Sequence, residues 1–242
     1  MTQTLLAFIF VIGLVLVYVL AKLVHARRTE YIRNFSLPPG LYDKLREKHP
    51  QLSLKDCQLV GHALRQFFLT YLRSGREHIS MPSQSVDDLW HEFILYTRHY
   101  ADFCRRAFGG FLHHTPAAAL SSSGRSNDGL RRCWWQACRE ENINPRRPTR
   151  LPLLFAIDRK LGVKDGFVYL LDCHNPVELA KMPDTGLPIH CASDLKPLPK
   201  DRAGSGTGAS GCSGSACTGS GGGHGCSSGG CSGGCGGGGC GS

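Results

Sequence analysis

The chain is predicted to be mainly α: a single N-terminal transmembrane helix, then a small helical bundle, then a disordered Gly/Ser/Cys-rich tail. Three observations lead there. Leu5 to Leu20 is an uncharged apolar run. The middle of the chain repeats apolar residues at helical spacing behind Ser-x-x-Asp starts. From Gly204 onward nearly every residue is Gly, Ser or Cys, with 19 of the 30 glycines in the last 39 residues.

Charge divides the chain in the same way. The net charge is +9, and all 28 Lys and Arg lie between Lys22 and Arg202, so the two ends are physically unlike the body. The expected organisation is an anchor with its basic flank over 1–28, a connector over 29–52, a helical domain over 53–174, a linker over 175–203 and the tail over 204–242.

The apolar run, extended through Ala21, Lys22, Leu23 and Val24 by letting the lysine snorkel, is long enough to cross a bilayer. No basic segment precedes it and no small-x-small site follows, which favours a retained anchor over a cleaved signal. Lys22, Arg27, Arg28 and Arg33 follow the run, so the N-terminus is expected outside the cell membrane and the body in the cytoplasm. Thiols stay reduced there. The 12 cysteines therefore read as free thiols, buried small hydrophobes or metal ligands rather than a disulfide framework.

Pro38, Pro39 and Gly40 punctuate the connector, leaving room for a short helix through Leu41, Tyr42 and Leu45. Ser53 with Asp56 is a capping-box pattern opening a helix to about Arg73. Its Val60, Ala63, Leu64, Phe67, Phe68 and Tyr71 share one face, and Lys55, His62, Arg65 and Gln66 the other. Pro82 bars a helix from entering the next stretch, and Ser85 with Asp88 repeats the capping pattern. One amphipathic helix of about six turns is predicted from Val86 to Gly109. It carries Val86, Leu89, Trp90, Phe93, Thr97, Tyr100, Cys104 and Phe108 inward and Asp87, His91, Arg98, Asp102, Arg105 and Arg106 outward.

Beyond the Ser121 to Gly129 loop, Leu130, Cys133, Trp134 and Ala137 form another apolar stripe. Thr149 can cap a short helix with Pro152 in its first turn, Leu153, Leu154, Ile157 and Leu161 buried, and Gly162 at its end. Phe167 to Cys173 is too short to assign to strand or helix by period. In the tail no core can form, because Gly and Ser bury too little apolar surface to offset the entropy of ordering.

A metal centre is the sharpest chemical reading of the central stretch. Asp87 and His91 are four residues apart and Asp88 and His91 three, while His113 and His114 follow the Gly109-Gly110 turn that can bring them back. His99 is eight residues from His91, about 12 Å of helical rise, so one ion does not take both. Asp87 or Asp88, His91, and one or both of His113 and His114 form the expected set, with zinc or iron as the ion. The plainer alternative is a solvated Asp87–His91 pair with His113 and His114 bonded to backbone at a helix end. HExxH is absent, since Leu95 stands where its second histidine belongs, which excludes a zinc protease of that type.

Cys133 and Cys138 lie five residues apart on one helix, about 140° around it, and so neither bridge nor chelate. Cys212, Cys217, Cys226, Cys231, Cys235 and Cys240 have irregular spacing with no CxxC; as flexible thiolates they could wrap a soft ion, and a disordered interaction tail is the preferred reading. The arginines from Arg131 to Arg150 form a basic segment able to meet anionic lipid headgroups or an acidic partner. No aromatic stacking pattern accompanies them, so nucleic acid is not expected as a partner.

Val86-Asp87-Asp88-Leu89-Trp90-His91, upstream of a Cys- and Gly-rich end, resembles the glycine-rich domain-containing (GRDP-like) family, in which a V-D-x-x-W-H motif lies on a helix. The likeness covers roughly Leu54 to Pro116 and loosely the tail. Its extension through Phe103-Cys104, Phe108-Gly109 and His113-His114 looks like a bacterial variant. Phe93 stands where a second histidine is often found. The resemblance implies an α-helical domain with His91 as a marked position, and no activity to carry over.

The expected role is a membrane-anchored binding or scaffold module with a protein partner, and an enzyme is the lesser expectation. The competing class is a metal handler or metal-dependent enzyme using the Asp/His cluster. A third is RNA or anionic-lipid binding through the arginine segment.

Overall fold

A computed structural model describes residues 2–114, 125–173 and 189–195, with positions 176 and 179. All belong to the unit Met1–Pro199. The six tail thiols, Cys212, Cys217, Cys226, Cys231, Cys235 and Cys240, and most of the predicted linker, lie outside the described residues.

Helix α1, Thr2–Asn34, is long and apolar enough to cross a bilayer, and the side chains of its apolar stretch are exposed. It does not end where the apolar run ends. Ile32 is fully buried, and Tyr31 and Phe35 stack on Phe103 at 6.0 and 4.5 Å. The segment read as a connector is thus part of the core: α2, Leu41–Lys48, starts after Gly40 (φ +80°) and buries Leu41 and Leu45 completely. Proline punctuation marks the turn, and only packing shows that the helix beyond it is anchored.

The longest buried helix is α3, Leu54–Arg73. Its capping box is formed as predicted, with the Ser53 hydroxyl accepting from the Asp56 amide at 3.2 Å and Asp56 accepting from the Ser53 amide at 2.9 Å. These bonds from the Ser53 hydroxyl and amide hold the Asp56 carboxyl below its usual range. The predicted apolar face is buried, with Tyr71 at its edge. Gln66 was expected on the polar face but is buried, donating to Glu141 Oε1 at 2.8 Å and accepting from the Leu154 amide at 3.0 Å. A neutral amide can enter a core when both its ends are satisfied.

The predicted six-turn helix is two helices, α4 (Gln84–Leu95) and α5 (Thr97–Phe108), meeting at Tyr96 with φ −78° and ψ 58°. The break rephases the faces. Thr97 is exposed rather than buried, and Phe103 joins Phe93 in the core against Phe35. No Gly or Pro marks the break. The Tyr96 hydroxyl donates to the Pro39 carbonyl at 3.4 Å, and α4 packs on α2 and α3 while α5 turns to follow α1. The N-cap is Ser83, whose hydroxyl accepts from the Val86 amide at 3.3 Å, not the predicted Ser85.

Helix α6 (Arg125–Glu140) crosses α3, with Cys133, Trp134 and Ala137 of the predicted stripe buried and Leu130 half-buried; Cys138 is buried too, and both thiols are free. Helix α7 (Leu153–Leu161) starts at Pro152, not at Thr149, because Glu141 and Gln66 accept the Leu153 and Leu154 amides in place of a hydroxyl cap; Gly162 (φ +61°) ends it as predicted.

Asp158 of α7 is 2 % exposed and holds the start of α4 in place. It accepts from the Ser83 and Ser85 hydroxyls at 2.7 and 2.6 Å, from the Gln84 and Ser85 amides at 2.7 and 3.2 Å, and from the Phe167 amide at 3.0 Å. The carboxylate does for α4 what an anion does at any helix N-terminus, binding amides that have no intrahelical acceptor.

Phe167 to Cys173 contains strand β1, Val168–Leu170, which pairs in parallel with β2, Ile189–Cys191, placing Tyr169 opposite His190. Cys173 and Cys191 are joined as a disulfide. This corrects the expectation that none of the body cysteines pair: 18 residues separate the two, and only strand pairing brings them together.

Candidate metal centre

Residues Asp87 and His91 sit one turn apart on α4, with His91 Nδ1 3.6 Å from Asp87 Oδ2. The third member comes from the chain beyond α5. Gly109 (φ +74°) ends that helix, and the segment after it folds back along α5, fastened where the Tyr100 hydroxyl donates to the Leu112 carbonyl at 2.6 Å. Trp90 Nε1 in turn donates to Tyr100 Oη at 3.1 Å, so the buried phenol ties this segment to α4. Burial pushes the Tyr100 hydroxyl far above its ordinary range, keeping it a donor.

His114 therefore arrives with Nε2 2.9 Å from Asp87 Oδ1 and its ring 4.3 Å from that of His91. One ligand atom from each of Asp87, His91 and His114 lies within 4.8 Å of the others. The remaining predicted members are elsewhere. Asp88 turns toward α2, 2.8 Å from His49 Nε2 and 3.9 Å from Lys48 Nζ, and His113 packs on Phe111 at 4.8 Å. His99 is exposed beside Tyr96.

The cluster borders a cleft of about 490 Å³. Its walls mix aromatic rings, among them Tyr71, Trp90, Phe111, Phe167 and Tyr169, with polar groups that include Arg76, Gln84, His78, His113 and His190. His190 was not predicted. It reaches the cleft only because β2 pairs with β1, and its Nε2 is buried without a hydrogen-bond partner among the described residues.

Two imidazoles and one carboxylate match the donor set of three-ligand zinc sites and of the 2-His-1-carboxylate iron sites, both of which keep coordination positions open. A metal bonds such atoms at about 2.0–2.2 Å, so small rotamer changes of the part-exposed His91 close the gap. The Trp90 and His114 rings pack edge to face with centroids 4.6 Å apart, which limits rotation of His114.

The fold is thus a small helical bundle behind an apolar N-terminal helix, with an Asp/His cluster at the edge of a partly aromatic cleft. The family model named UCP032817-like, for a family without an assigned activity, matches residues 27–195, and the chain belongs to that family. This overturns the resemblance to the glycine-rich domain-containing family, which rested on a short helical motif and a tail composition. No curated protein and no solved structure matches the chain.

Proposed function

We propose that this protein is a single-pass, membrane-anchored binding module whose helical domain holds one divalent transition metal, zinc or iron(II), on Asp87, His91 and His114. The observation that carries this reading is the convergence of those three donors from two separate segments at the lip of a cleft lined by both aromatic and polar side chains. The chain organises a hydrogen-bonded relay, Trp90 to Tyr100 to Leu112, whose effect is to bring His114 back to α4. The metal, when bound, supplies a Lewis acid beside a cavity sized for a small organic ligand. Asp87 stands between the two imidazoles, 2.9 Å from His114 Nε2 and 3.6 Å from His91 Nδ1, and the aromatic walls offer apolar surface to the ligand.

The basic flank of α1 supports a body on the cytoplasmic side. The Cys173–Cys191 bond is a feature of oxidising compartments and pulls the other way. Flanking charge acts during insertion, before strands pair, so it sets the orientation.

Metal analysis of the full chain purified in detergent without chelator tests the centre. One equivalent of zinc or iron is expected, lost in Asp87→Ala and His91→Ala and retained in Asp88→Asn and His113→Ala. Metal-free wild-type protein that takes up no added zinc or iron(II) would refute the reading.

A further inference from the structure

We propose that the end of the domain nearest the apolar run is a docking surface for anionic phospholipid headgroups, built from Arg27 and Arg28 of α1, Arg76 after α3, and Arg105 and Arg106 of α5. The proposal rests on the reading of α1 as a membrane span.

Helix α1 continues unbroken past Val24, so Arg27 and Arg28 lie about 5 Å beyond the apolar stretch along its axis. Helix α5 runs antiparallel beside it. Phe103 faces Tyr31 and Phe35, and six residues later Gly109 lies directly against the Arg28 guanidinium, which a Cβ at that position would strike. The last turn of α5 therefore stands level with the first turns of α1 beyond the apolar stretch, and Arg105 and Arg106 project there exposed. Arg76 Nη1 donates to the Phe108 carbonyl at 3.0 Å, which fixes a third element at the same level.

Three segments distant in sequence thus bring five guanidinium groups to one end of the bundle. Three acidic groups stand against the five arginines: Asp102 pairs with Arg105 at 2.7 Å, Glu77 is engaged by Arg132 at 3.6 Å, and the exposed Glu30 of α1 accepts from the Asn34 side-chain amide at 2.5 Å. Among the described residues Arg27, Arg28, Arg76 and Arg106 form no ion pair. A spanning α1 places a headgroup layer within about one Debye length of these groups, where each basic residue attracts anionic lipid. An acidic protein would have to reach the same place through that layer.

The test uses the full chain in phosphatidylcholine vesicles with and without phosphatidylglycerol. Association of spin-labelled phosphatidylglycerol relative to labelled phosphatidylcholine is expected to favour the anionic lipid by about fivefold or more, roughly what one arginine near the surface contributes. Arg105→Glu with Arg106→Glu should abolish the preference, Arg105→Gln with Arg106→Gln should reduce it, and Arg146→Glu with Arg147→Glu should leave it intact. Circular dichroism of each variant establishes that the bundle is folded. An equal association of both lipids with wild-type protein, or a preference untouched by the α5 substitutions, overturns the proposal while the anchor stands. Release of the wild-type chain from the vesicles by alkaline carbonate overturns the anchor and this proposal together.

Discussion

Asp158 shows how much one side chain can decide. Five donors converge on it, three of them backbone amides from two segments, and it is sealed from water. Removing it leaves those donors buried without an acceptor, a larger loss than that of the bonds themselves. Asp158→Ala should therefore cost about 3 kcal/mol or more in denaturant melts. Asp102→Ala, which breaks only an exposed pair with Arg105, should cost under about 1 kcal/mol. Equal losses from the two would show that Asp158 is not the fastening of α4. Cys133 makes a second residue-scale prediction. Burial pushes its thiol up from 9.0 to about 12, so the folded state keeps a proton that the unfolded chain releases above pH 9. Stability from this group is full below pH 9 and is lost as pH rises toward 12, at about 1.4 kcal/mol per pH unit. Melts of wild type and Cys133→Ala between pH 7 and 10.5 should converge as pH rises; a constant gap would refute it.

Among the elements, those with strong local signals were legible and those shaped by neighbours were not. Ser53 and Asp56 made a capping box because both partners are local, and Gly162 ended α7 because a left-handed residue is needed there. The kink at Tyr96 had no such mark. Its cause is that α4 and α5 serve different neighbours, with the Tyr96 hydroxyl held by Pro39 from beyond α1. The two short strands were equally hidden, since three residues carry too little pattern to show a period. The candidate site follows the same rule. Asp87 and His91 share a face by helical geometry alone, and the Gly109-Gly110 turn signalled that His113 or His114 could return. Choosing His114 over His113, and sending Asp88 to His49, took the position of Leu112 under Tyr100 and of α2 beside α4.

At the scale of the molecule, α1 is both long and apolar enough to span a bilayer and a packed helix of the domain, so no free tether separates the two. Ile32 is buried in the core eight residues after Val24. The bundle must therefore sit close against whatever surface the apolar stretch enters, which is why its arginine-bearing end matters. Orientation is the corresponding prediction. With the body in the cytoplasm, protease added outside intact cells should leave the bundle intact. Digestion of the bundle from outside would reverse the orientation.

The sequence by itself determined the apolar N-terminal helix, the mainly helical body, the Ser53–Asp56 capping box, the glycine stops at Gly109 and Gly162, and the shared face of Asp87 and His91, because each depends on contacts within a few residues or on composition. Only the tertiary structure decided the break at Tyr96, the burial of Gln66 and Asp158, the Cys173–Cys191 bond, the arrival of His114 and His190 at the cleft and the meeting of arginines from three segments. Those features exist because residues far apart in the chain satisfy one another's hydrogen bonds or apolar surface, and no local pattern encodes which distant partner will do so.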